Sequence, residues 1–377
     1  METVYITSLH LQHGGVEMAI ASLANALIKR GYSVEILCTY NLGEPAYPID
    51  SRVNITYLTD VHPNRDEFLE ALRTHNFVRI LSQGLYSLRV LYLKYSTMVK
   101  TIKKISDGVV ISTRNEHSVI LSKYGQKSVK KIAQLHHDHM FNRKLLKDFQ
   151  KHYGNIDYFV LLTERLKEEV KDIMKKNTRT QCVVIPNFLE NSSAKIAEKK
   201  RKNQIIAVGR LHPVKGFERL IDIWEKTRIK ENFYLKIIGD GSEKGHLEEL
   251  IREKNLQNSV ILTGALSHEQ VMKEMSSSEI YVMTSFSEAF PFVLLEAMEN
   301  GLPIIAYDVR VGPEAIVHQG ENGYLIKDGD AEDFAAKLDY LIENKSERQQ
   351  MSECAIKRSN DFMEDVVMKQ WIDLLER

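Results

Sequence analysis

The sequence predicts an α/β protein of two domains, each a parallel β-sheet covered by helices. Short runs rich in β-branched residues alternate with helix-length segments along most of the 377 residues. A polar tract at 192–202, predicted to be an exposed loop, interrupts this alternation, which starts again at Gln204–Val208. The chain is also too long for one ordinary core. We therefore place the domains at 1–186 and 187–358, followed by a helical segment at 359–377.

The first domain opens with a strand, a helix and a second strand. The strands are predicted at Thr3–Thr7 and Ser33–Thr39, and the helix at 16–30. This order and length indicate a parallel βαβ unit, in which ligands bind beyond the carboxyl ends of the strands. Gly14 and Gly15 lie there and can bring backbone N–H groups close to a phosphate or a sugar. A plain strand-to-helix turn is the alternative.

Further strands of this domain are predicted at Val109–Thr113, Lys131–Leu135 and Tyr158–Leu162, whereas 41–75 is rich in loop-forming residues. The third of these runs ends before Thr163, a predicted helix cap. The second is followed by the sequence His-His-Asp-His at 136–139. A metal site is disfavoured there, because adjacent residues of an extended chain point in opposite directions.

One helix of the first domain, predicted at Leu85–Ile105, combines an apolar stripe with a basic remainder. The stripe comprises Leu88, Leu91, Tyr95, Met98, Ile102 and Ile105. The basic residues elsewhere on the helix are Arg89, Lys94, Lys100, Lys103 and Lys104. Such a helix can dock on an anionic membrane surface. A helix packed on the sheet with a solvated basic side is the alternative, and the sequence leaves both open.

The composition of the chain indicates the class of protein and the cellular compartment in which it is expected. The chain is 43% hydrophobic and 27% charged, which is typical of a globular protein. Its three cysteines, Cys38, Cys182 and Cys354, are too far apart for a zinc motif and form no disulfide framework. No signal peptide or membrane-spanning run is evident, so a cytoplasmic protein is expected.

Charge is unevenly distributed although the formal net charge is zero. Residues 1–186 hold 26 Lys and Arg against 18 Asp and Glu, and the remainder carries the opposite excess. A basic half suggests a polyanionic partner or peripheral contact with a membrane surface. Chance placement of solvated charges is the alternative. No nucleic-acid partner is expected.

The second domain repeats the alternation, with glycines after its first strands. Gly209 follows Gln204–Val208, while Gly239 and Gly241 follow a strand at Tyr234–Ile238. Further strands are predicted at Val260–Gly264, Ile280–Met283 and Ile304–Tyr307. The next glycine after 241 stands at 245, one residue too late for the dinucleotide fingerprint G-x-G-x-x-G. This spacing counts against an NAD enzyme.

The stretch 288–298 is the centre of the functional prediction. Pro291 suits the start of a helix that Gly301 ends, so Glu288 precedes a helix and Glu296 lies within it. A helix start offers free N–H groups and a partial positive charge, which suits a diphosphate. Carboxylates beside it accept hydrogen bonds from hydroxyls. This combination suggests a nucleotide-sugar, and two solvated glutamates beside an ordinary helix are the alternative.

These residues resemble the E-X7-E motif of glycosyltransferase family 4, in its bacterial surface-polysaccharide branch. The surrounding blocks also resemble that family, in the same order. They are Gly14–Glu17, Val208–Phe217, Ile237–Gly241, Thr263–Gly264, Gly301–Ile304 and Glu321–Tyr324. The resemblance is strong between Asn187 and Leu341 and patchy before it. It implies the GT-B fold, two Rossmann-like domains facing each other across a cleft, with 359–377 packing back on the first domain.

The resemblance implies a retaining, metal-independent transferase that uses a nucleotide-sugar, with UDP-hexose the expected donor. Arg210 and Lys215 would neutralise the diphosphate, with N–H groups around Ala289 and Phe290. Glu296 would bind the ribose, and Glu288 the transferred sugar. The remaining implied donor contacts are Gly14, Gly15, Gly209, Gly239 and Gly241. His136, near the reacting carbon, would complete the catalytic set of Glu288, Arg210 and Lys215, with His137 the alternative if the register slips.

The expected acceptor is a saccharide or a polyprenyl-linked sugar, and no cofactor or metal is expected. Asp328-Gly329-Asp330 matches the metal-binding D-x-D pattern, but Asp330 is better placed as a helix cap. Ala289 stands where the family often has glycine, and the residues at 309–311 also depart from the family pattern. Two alternatives remain. They are a non-catalytic partner subunit of similar fold and a nucleotide-sugar epimerase.

Overall fold

The computed structural model describes residues 2–190, 201–228 and 232–377. The polar tract predicted as a loop therefore lies largely outside the described residues. The chain forms two compact units. The first runs to Leu161 and includes Lys167–Val184, and the second comprises Leu162–Leu166 and Ile185–Arg377. The terminal helix belongs to the second unit, and its return to the first domain stays a prediction.

Within the described residues the first domain contains a seven-stranded sheet in the order β3-β2-β1-β4-β5-β6-β7, and every pairing is parallel. The strands are β1 Thr3–Ser8, β2 Ser33–Tyr40, β3 Asn54–Thr59, β4 Val109–Ser112, β5 Lys130–Gln134, β6 Tyr158–Leu161 and β7 Gln181–Val184. The helices are α1 Gly15–Lys29, α2 Arg65–Arg73, α3 Phe77–Lys104, α4 Asn115–Tyr124, α5 Arg143–His152 and α6 Glu164–Ile173. The central strand β4 is buried throughout, as expected for a parallel sheet with both faces covered.

Several elements of the first domain differ from the sequence-based expectation. The stretch 41–75 contains a strand, β3, and a helix, α2. Helix α3 begins at Phe77, eight residues before the predicted start. Its predicted stripe is also divided, because Met98 and Ile102 are buried while Leu88 is 63% exposed. Thr163 does cap α6, accepting a hydrogen bond from the Leu166 N–H at 3.2 Å.

The second domain contains a six-stranded sheet, among the described residues, in the order β10-β9-β8-β11-β12-β13, again parallel throughout. The strands are β8 Gln204–Val208, β9 Tyr234–Ile238, β10 Val260–Leu262, β11 Ile280–Met283, β12 Ile304–Asp308 and β13 Gly323–Lys327. The helices are α7 Phe217–Lys226, α8 Lys244–Glu253, α9 His268–Ser276, α10 Phe292–Glu299, α11 Pro313–Ile316, α12 Ala331–Glu343, α13 Lys345–Ser359 and α14 Glu364–Glu376. Both domains are therefore Rossmann-like α/β units, as predicted.

Each sheet has one point where the strand order reverses direction. The reversal lies between β1 and β4 in the first domain and between β8 and β11 in the second. Loops after neighbouring strands diverge at such a point and leave a crevice at the carboxyl edge. The loops that carry Gly14 and Arg114 flank the first crevice, and those that carry Lys215 and Glu288 flank the second. The topology thus brings together residues far apart in sequence.

Candidate active site

The loops after β8 and β11 are joined where they leave the second sheet. Gly216 has a φ of 62°, and a Cβ on it would collide with the carbonyl oxygen of Thr284. Only glycine suits this position. The Thr284 hydroxyl donates to the Gly216 carbonyl at 2.9 Å, and the Phe286 N–H donates to the Val214 carbonyl at 2.8 Å. These hydrogen bonds fix the positions of the two loops relative to each other, and therefore the positions of the side chains that they carry.

The joined loops place Lys215 against Glu288. Lys215 Nζ donates to Glu288 Oε1 at 2.6 Å, and their side chains are 25% and 10% exposed. Both residues line a small pocket together with Tyr281 and Val293. An ammonium group has three N–H donors, so Lys215 can hold this carboxylate and an anionic ligand together. The structure thus brings together two predicted site residues that stand 73 positions apart.

Glu296 lies on α10 and is only 6% exposed. Burial, with a smaller contribution from Glu299, raises its carboxyl pKa to about 7. His268 Nδ1 lies 3.7 Å from its Oε1. No hydrogen bond to this carboxylate is found in the described part of the chain. Its acceptor capacity is therefore available to a ligand.

Arg210 follows β8, and its side chain is exposed. Its guanidinium makes no hydrogen bond or ion pair with the described residues, so its donors can serve an anionic ligand. Nearby, the predicted glycines provide close backbone packing. A Cβ on Gly239 would collide with the Gly209 carbonyl, and one on Gly241 with the Leu211 carbonyl. Gly239 and Gly241 are therefore needed for the loops to pack closely. This is a structural role, and it is not evidence that either glycine contacts a ligand.

Ala289 and Phe290 precede α10, and both are buried. The Phe290 ring packs edge-to-face on Phe362 with centroids 5.5 Å apart, so its side chain belongs to the core. Only its backbone can face a ligand. Gly312, at a φ of 102°, packs against the Ala289 backbone, where a Cβ would lie 3.1 Å from the carbonyl. The two departures from the family pattern, at 289 and 309–311, thus lie in neighbouring parts of the second domain.

The switch point of the first domain holds an ion pair whose carboxylate is buried. Arg114, at the start of α4, donates through Nη2 to Glu17 Oε1 at 2.8 Å. Glu17 is 4% exposed, and His10 Nδ1 lies 3.7 Å from the same oxygen. A Cβ on Gly14 would collide with this carboxylate, whereas Gly15 has open space beside it. Gly14 therefore leaves room for Glu17, and Gly15 leaves the loop surface clear.

His136 follows β5 and lies near Arg114. Burial, assisted by the positive charge of Arg114, lowers its pKa to about 3, so the imidazole is neutral at physiological pH. Its Nε2 is buried and has no hydrogen-bond partner in the described residues. By contrast, His139 Nε2 lies 3.0 Å from Glu169 Oε2, and Asp138 accepts from the Met140 N–H. The four-residue His-His-Asp-His run thus divides into separate local contacts.

Both carboxylates of the D-x-D pattern, Asp328 and Asp330, make contacts that stabilise the fold. Asp330 caps α12 by accepting from the Asp333 N–H at 3.0 Å, as predicted. Asp328 pairs with Arg219 Nη1 at 2.7 Å. Among residues 2–190, 201–228 and 232–377, no cluster of three or more His, Cys, Asp or Glu side chains is arranged to hold a metal ion.

The segment that forms most of the second domain is similar to a known protein family. Residues 189–358 match the family "Glycosyl transferases group 1". The match covers less than half of the chain and contains Arg210, Lys215, Glu288 and Glu296. Gly14, Gly15 and His136 lie outside it.

Relatives extend the similarity over the whole chain. The amylovoran biosynthesis glycosyltransferase AmsD of Erwinia amylovora is 29% identical over 96% of both chains. The pneumococcal O-GlcNAc transferase GtfA, solved with UDP and GlcNAc, superposes with a TM-score of 0.78 at 17% identity, covering 100% of this chain and 98% of that one. A Staphylococcus aureus TarM mutant, solved with fondaparinux, alpha-GlcNAc-glycerol and UDP, gives 0.78 at 15% identity with full coverage of both chains. The two-domain GT-B fold is therefore confirmed.

The segment matched to the group 1 family contains a residue that the sequence analysis missed. Arg219 on α7 donates to the carbonyls of Thr284 and Ser285 and to Asp328. Its guanidinium also lies 3.8 Å from the Phe286 ring centroid. The sequence Lys-Gly-Phe-Glu-Arg at 215–219 gives no local signal for this role, because the partners of Arg219 lie at least 65 positions away along the chain. Arg219 holds the strand-to-helix loop that presents Glu288.

We expect Arg219→Ala to loosen this loop. Two carbonyls and a carboxylate lose a charged donor, which should lower the free energy of unfolding by about 3 kcal/mol. Amide hydrogen exchange at 284–290 should rise more than in the rest of the second domain. Arg252→Ala is the matched control, because Arg252 is exposed and its one polar contact within the described residues is a carbonyl of its own helix, at 3.3 Å. Unchanged exchange at 284–290 would contradict the positioning role.

Proposed function

We propose that the protein is a retaining glycosyltransferase. It transfers a hexose or an N-acetylhexosamine from a UDP-linked donor to a saccharide or polyprenyl-linked acceptor in cell-surface polysaccharide synthesis. The observation that carries this proposal is the Lys215–Glu288 pair at the switch point of a domain that matches the group 1 family. The names of relatives support the substrate class, since one acts in amylovoran biosynthesis and others were solved with UDP.

The donor diphosphate would bind where cationic and backbone donors converge. Arg210 supplies a planar fork for phosphate oxygens, and Lys215 supplies a point charge. Backbone N–H groups around Ala289 and Phe290, just before α10, add the partial positive charge of a helix start. Together they stabilise the charge that develops on the leaving UDP. This arrangement supports the metal-independent reaction that the family resemblance implies.

Two carboxylates would orient the rest of the donor. Glu296, whose oxygens have no hydrogen-bond donor among the described residues, would accept from the ribose hydroxyls. Glu288 would accept from hydroxyls of the transferred sugar while it remains paired with Lys215. We do not assign Glu288 as a covalent nucleophile. The leaving phosphate would assist deprotonation of the acceptor, with attack on the face of the sugar that it leaves.

We assign Gly14 and Gly15 of the first domain to contacts with the sugar and phosphate of the donor, and His136 to a sugar hydroxyl near the reacting carbon, as the resemblance implies. The buried His136 Nε2 can donate to or accept from a sugar hydroxyl, because the neutral ring has one protonated nitrogen and one bare one. We place the reaction in the cytoplasm, at the inner face of the membrane, where a polyprenyl-linked acceptor would be presented.

The experiment is product release from a panel of UDP-, GDP- and ADP-sugars in EDTA, with wild type and Glu288→Ala. Release of UDP from one sugar by the wild type, at least about 100-fold slower in the variant, would support the proposal and name the donor. Release of a changed sugar nucleotide without acceptor would indicate the epimerase instead. Absence of both turnover and nucleotide binding would favour the non-catalytic partner subunit.

A further inference from the structure

Helix α3 exposes an apolar stripe that its own domain leaves uncovered. The residues of the stripe are 49% to 83% exposed. They are Phe77, Val78, Leu81, Leu85, Leu88, Leu91, Tyr92 and Tyr95. At 3.6 residues per turn they lie within about two fifths of the helix circumference. Leu69 and Leu72 of the neighbouring α2 are also exposed, at 39% and 41%. Exposed apolar side chains grouped on one helix face in this way indicate an interaction site.

The charges on α3 identify the chemistry of the partner. The helix contains six Lys and Arg residues and no Asp or Glu. Lys94 is paired with Glu116 at 2.7 Å, but Lys100, Lys103 and Lys104 form a basic end. The spacing of the stripe would also suit a partner helix, but two copies of α3 would bring like charges together. An anionic lipid bilayer complements both sets of residues, because its acyl region accepts the leucines and its headgroups attract the lysines.

The position of α3 relates the stripe to the candidate site. Val90 is buried in a cluster with Tyr40 and Val61, and the partly buried residues packed against this cluster are Tyr86, Leu93, Leu9 and Leu42. Leu9 and Leu42 lie in the loops after β1 and β2. Because α3 leads into the start of β4, it runs against the strand direction. The residues before Tyr86 therefore extend beyond the carboxyl edge of the sheet. A 28-residue helix is about 42 Å long, which is longer than any strand of this sheet.

A second apolar patch lies at the same edge. Met140 and Phe141, in the loop after β5, are 60% and 59% exposed. Arg143 and Lys144 follow them at the start of α5, and both are exposed. Helix α4 packs against both α3 and α5, so α3 and the helix that follows the Met140–Phe141 loop lie in one layer of the first domain.

We propose that the exposed stripe of α3, with the Met140–Phe141 loop, is a docking surface for an anionic lipid bilayer. The leucines and the phenylalanine enter the interfacial region, the tyrosines lie at the headgroup level, and the basic end contacts anionic headgroups. The predicted helix stripe at 88–105 is thereby corrected, because its second half is buried and the docking residues begin at Phe77. No helix in the described ranges is both long and apolar enough to cross a membrane. This proposal goes beyond the transferase activity and holds without it.

The test is sedimentation with phosphatidylcholine vesicles, with and without about 30% phosphatidylglycerol. Wild type is expected to bind the anionic vesicles, to bind neutral ones at least about 10-fold more weakly, and to dissociate as salt is raised. The apolar variant is Leu81→Gln/Leu85→Gln/Leu88→Gln, in which binding should fall at least about 100-fold. The basic variant is Lys100→Glu/Lys103→Glu/Lys104→Glu, with a fall of similar size.

Matched controls come from the second domain. Lys273→Glu/Lys357→Glu/Lys369→Glu reverses three exposed charges, and Ile261→Gln alters a residue that is 42% exposed. Both should bind vesicles as the wild type does. Because the α3 side chains are exposed, every variant should keep the wild-type circular dichroism spectrum and thermal midpoint. Absence of wild-type binding, or equal loss in the controls, overturns the proposal. A wild-type dimer that the leucine variant converts to monomer, without vesicle binding, assigns the stripe to a second copy instead.

Discussion

Lys215→Met should reduce the rate of UDP release at saturating donor by about 10²–10³-fold. Loss of one preorganised charge at a leaving group typically costs this much. The Lys215 ammonium is fixed at 2.6 Å from Glu288 by loops that meet at Gly216 and Thr284, so its position needs little adjustment during the reaction. Substitution also leaves the Glu288 carboxylate, only 10% exposed, without its cation. The variant should therefore be less stable as well as slower.

A double-mutant cycle separates these two effects. Glu288→Gln removes the charge that Lys215→Met leaves unpaired, so the double variant should regain part of the stability lost in Lys215→Met, while turnover stays low. The matched control is Lys226→Met/Glu332→Gln, because this pair is also an ion pair but is 44% and 77% exposed. We expect the control to keep turnover within about 2-fold, since exposed pairs contribute little. Wild-type turnover in Lys215→Met would exclude a role for Lys215 in leaving-group stabilisation.

The sequence predicts the central elements of each sheet well because their patterns are local. Strand β11, at Ile280–Met283, is a continuous apolar run, and the structure buries all four residues. Strand β3 is not predicted. Most of its residues are half-buried, and buried and exposed residues do not alternate clearly along it. Helix α3 shows a different limit. Periodicity identifies its apolar residues, but only the packing shows that Met98 is covered while Leu88 is not.

The sequence identifies candidate site residues where they lie in recognisable motifs. Lys215 and Glu288 were assigned individually, and the topology then explains why they meet. The Glu17–Arg114 pair was not predicted, because its members stand 97 positions apart and neither residue type is unusual beside a helix start. The same holds for His117, which is 1% exposed and whose Nδ1 lies 3.0 Å from the Thr7 hydroxyl. A contact of this kind becomes visible only when the strand order is known.

Glu296→Gln should make the protein more stable at pH 8 and weaken nucleotide binding. The folded-state carboxyl pKa of about 7 lies above the ordinary value of 4.5, because burial penalises the charged form. The native state therefore holds the proton to a higher pH than the unfolded state does. Between these two values the free energy of unfolding falls as pH rises, and the whole cost is present above pH 7. Glutamine is neutral at every pH, so it avoids that cost.

The expected gain in the free energy of unfolding is about 2–3 kcal/mol at pH 8 and close to zero at pH 4. Urea unfolding of wild type and variant at both values measures it. Binding of UDP, measured by calorimetry at pH 8, should weaken at least about 10-fold, because ribose hydroxyls lose a charged acceptor. Glu299→Gln is the control. It removes a neighbouring charge that raises the Glu296 pKa, and should therefore have a smaller effect of the same sign on stability without weakening binding.

The combination of the two results is more informative than either alone. A buried carboxylate without a hydrogen-bond donor among the described residues lowers stability when it is charged, so its presence needs another explanation. Stabilisation together with weaker UDP binding would show that Glu296 serves the nucleotide rather than the fold. Destabilisation at pH 8 would mean instead that the charged carboxylate is satisfied in the folded protein, and it would remove Glu296 from the ribose contacts.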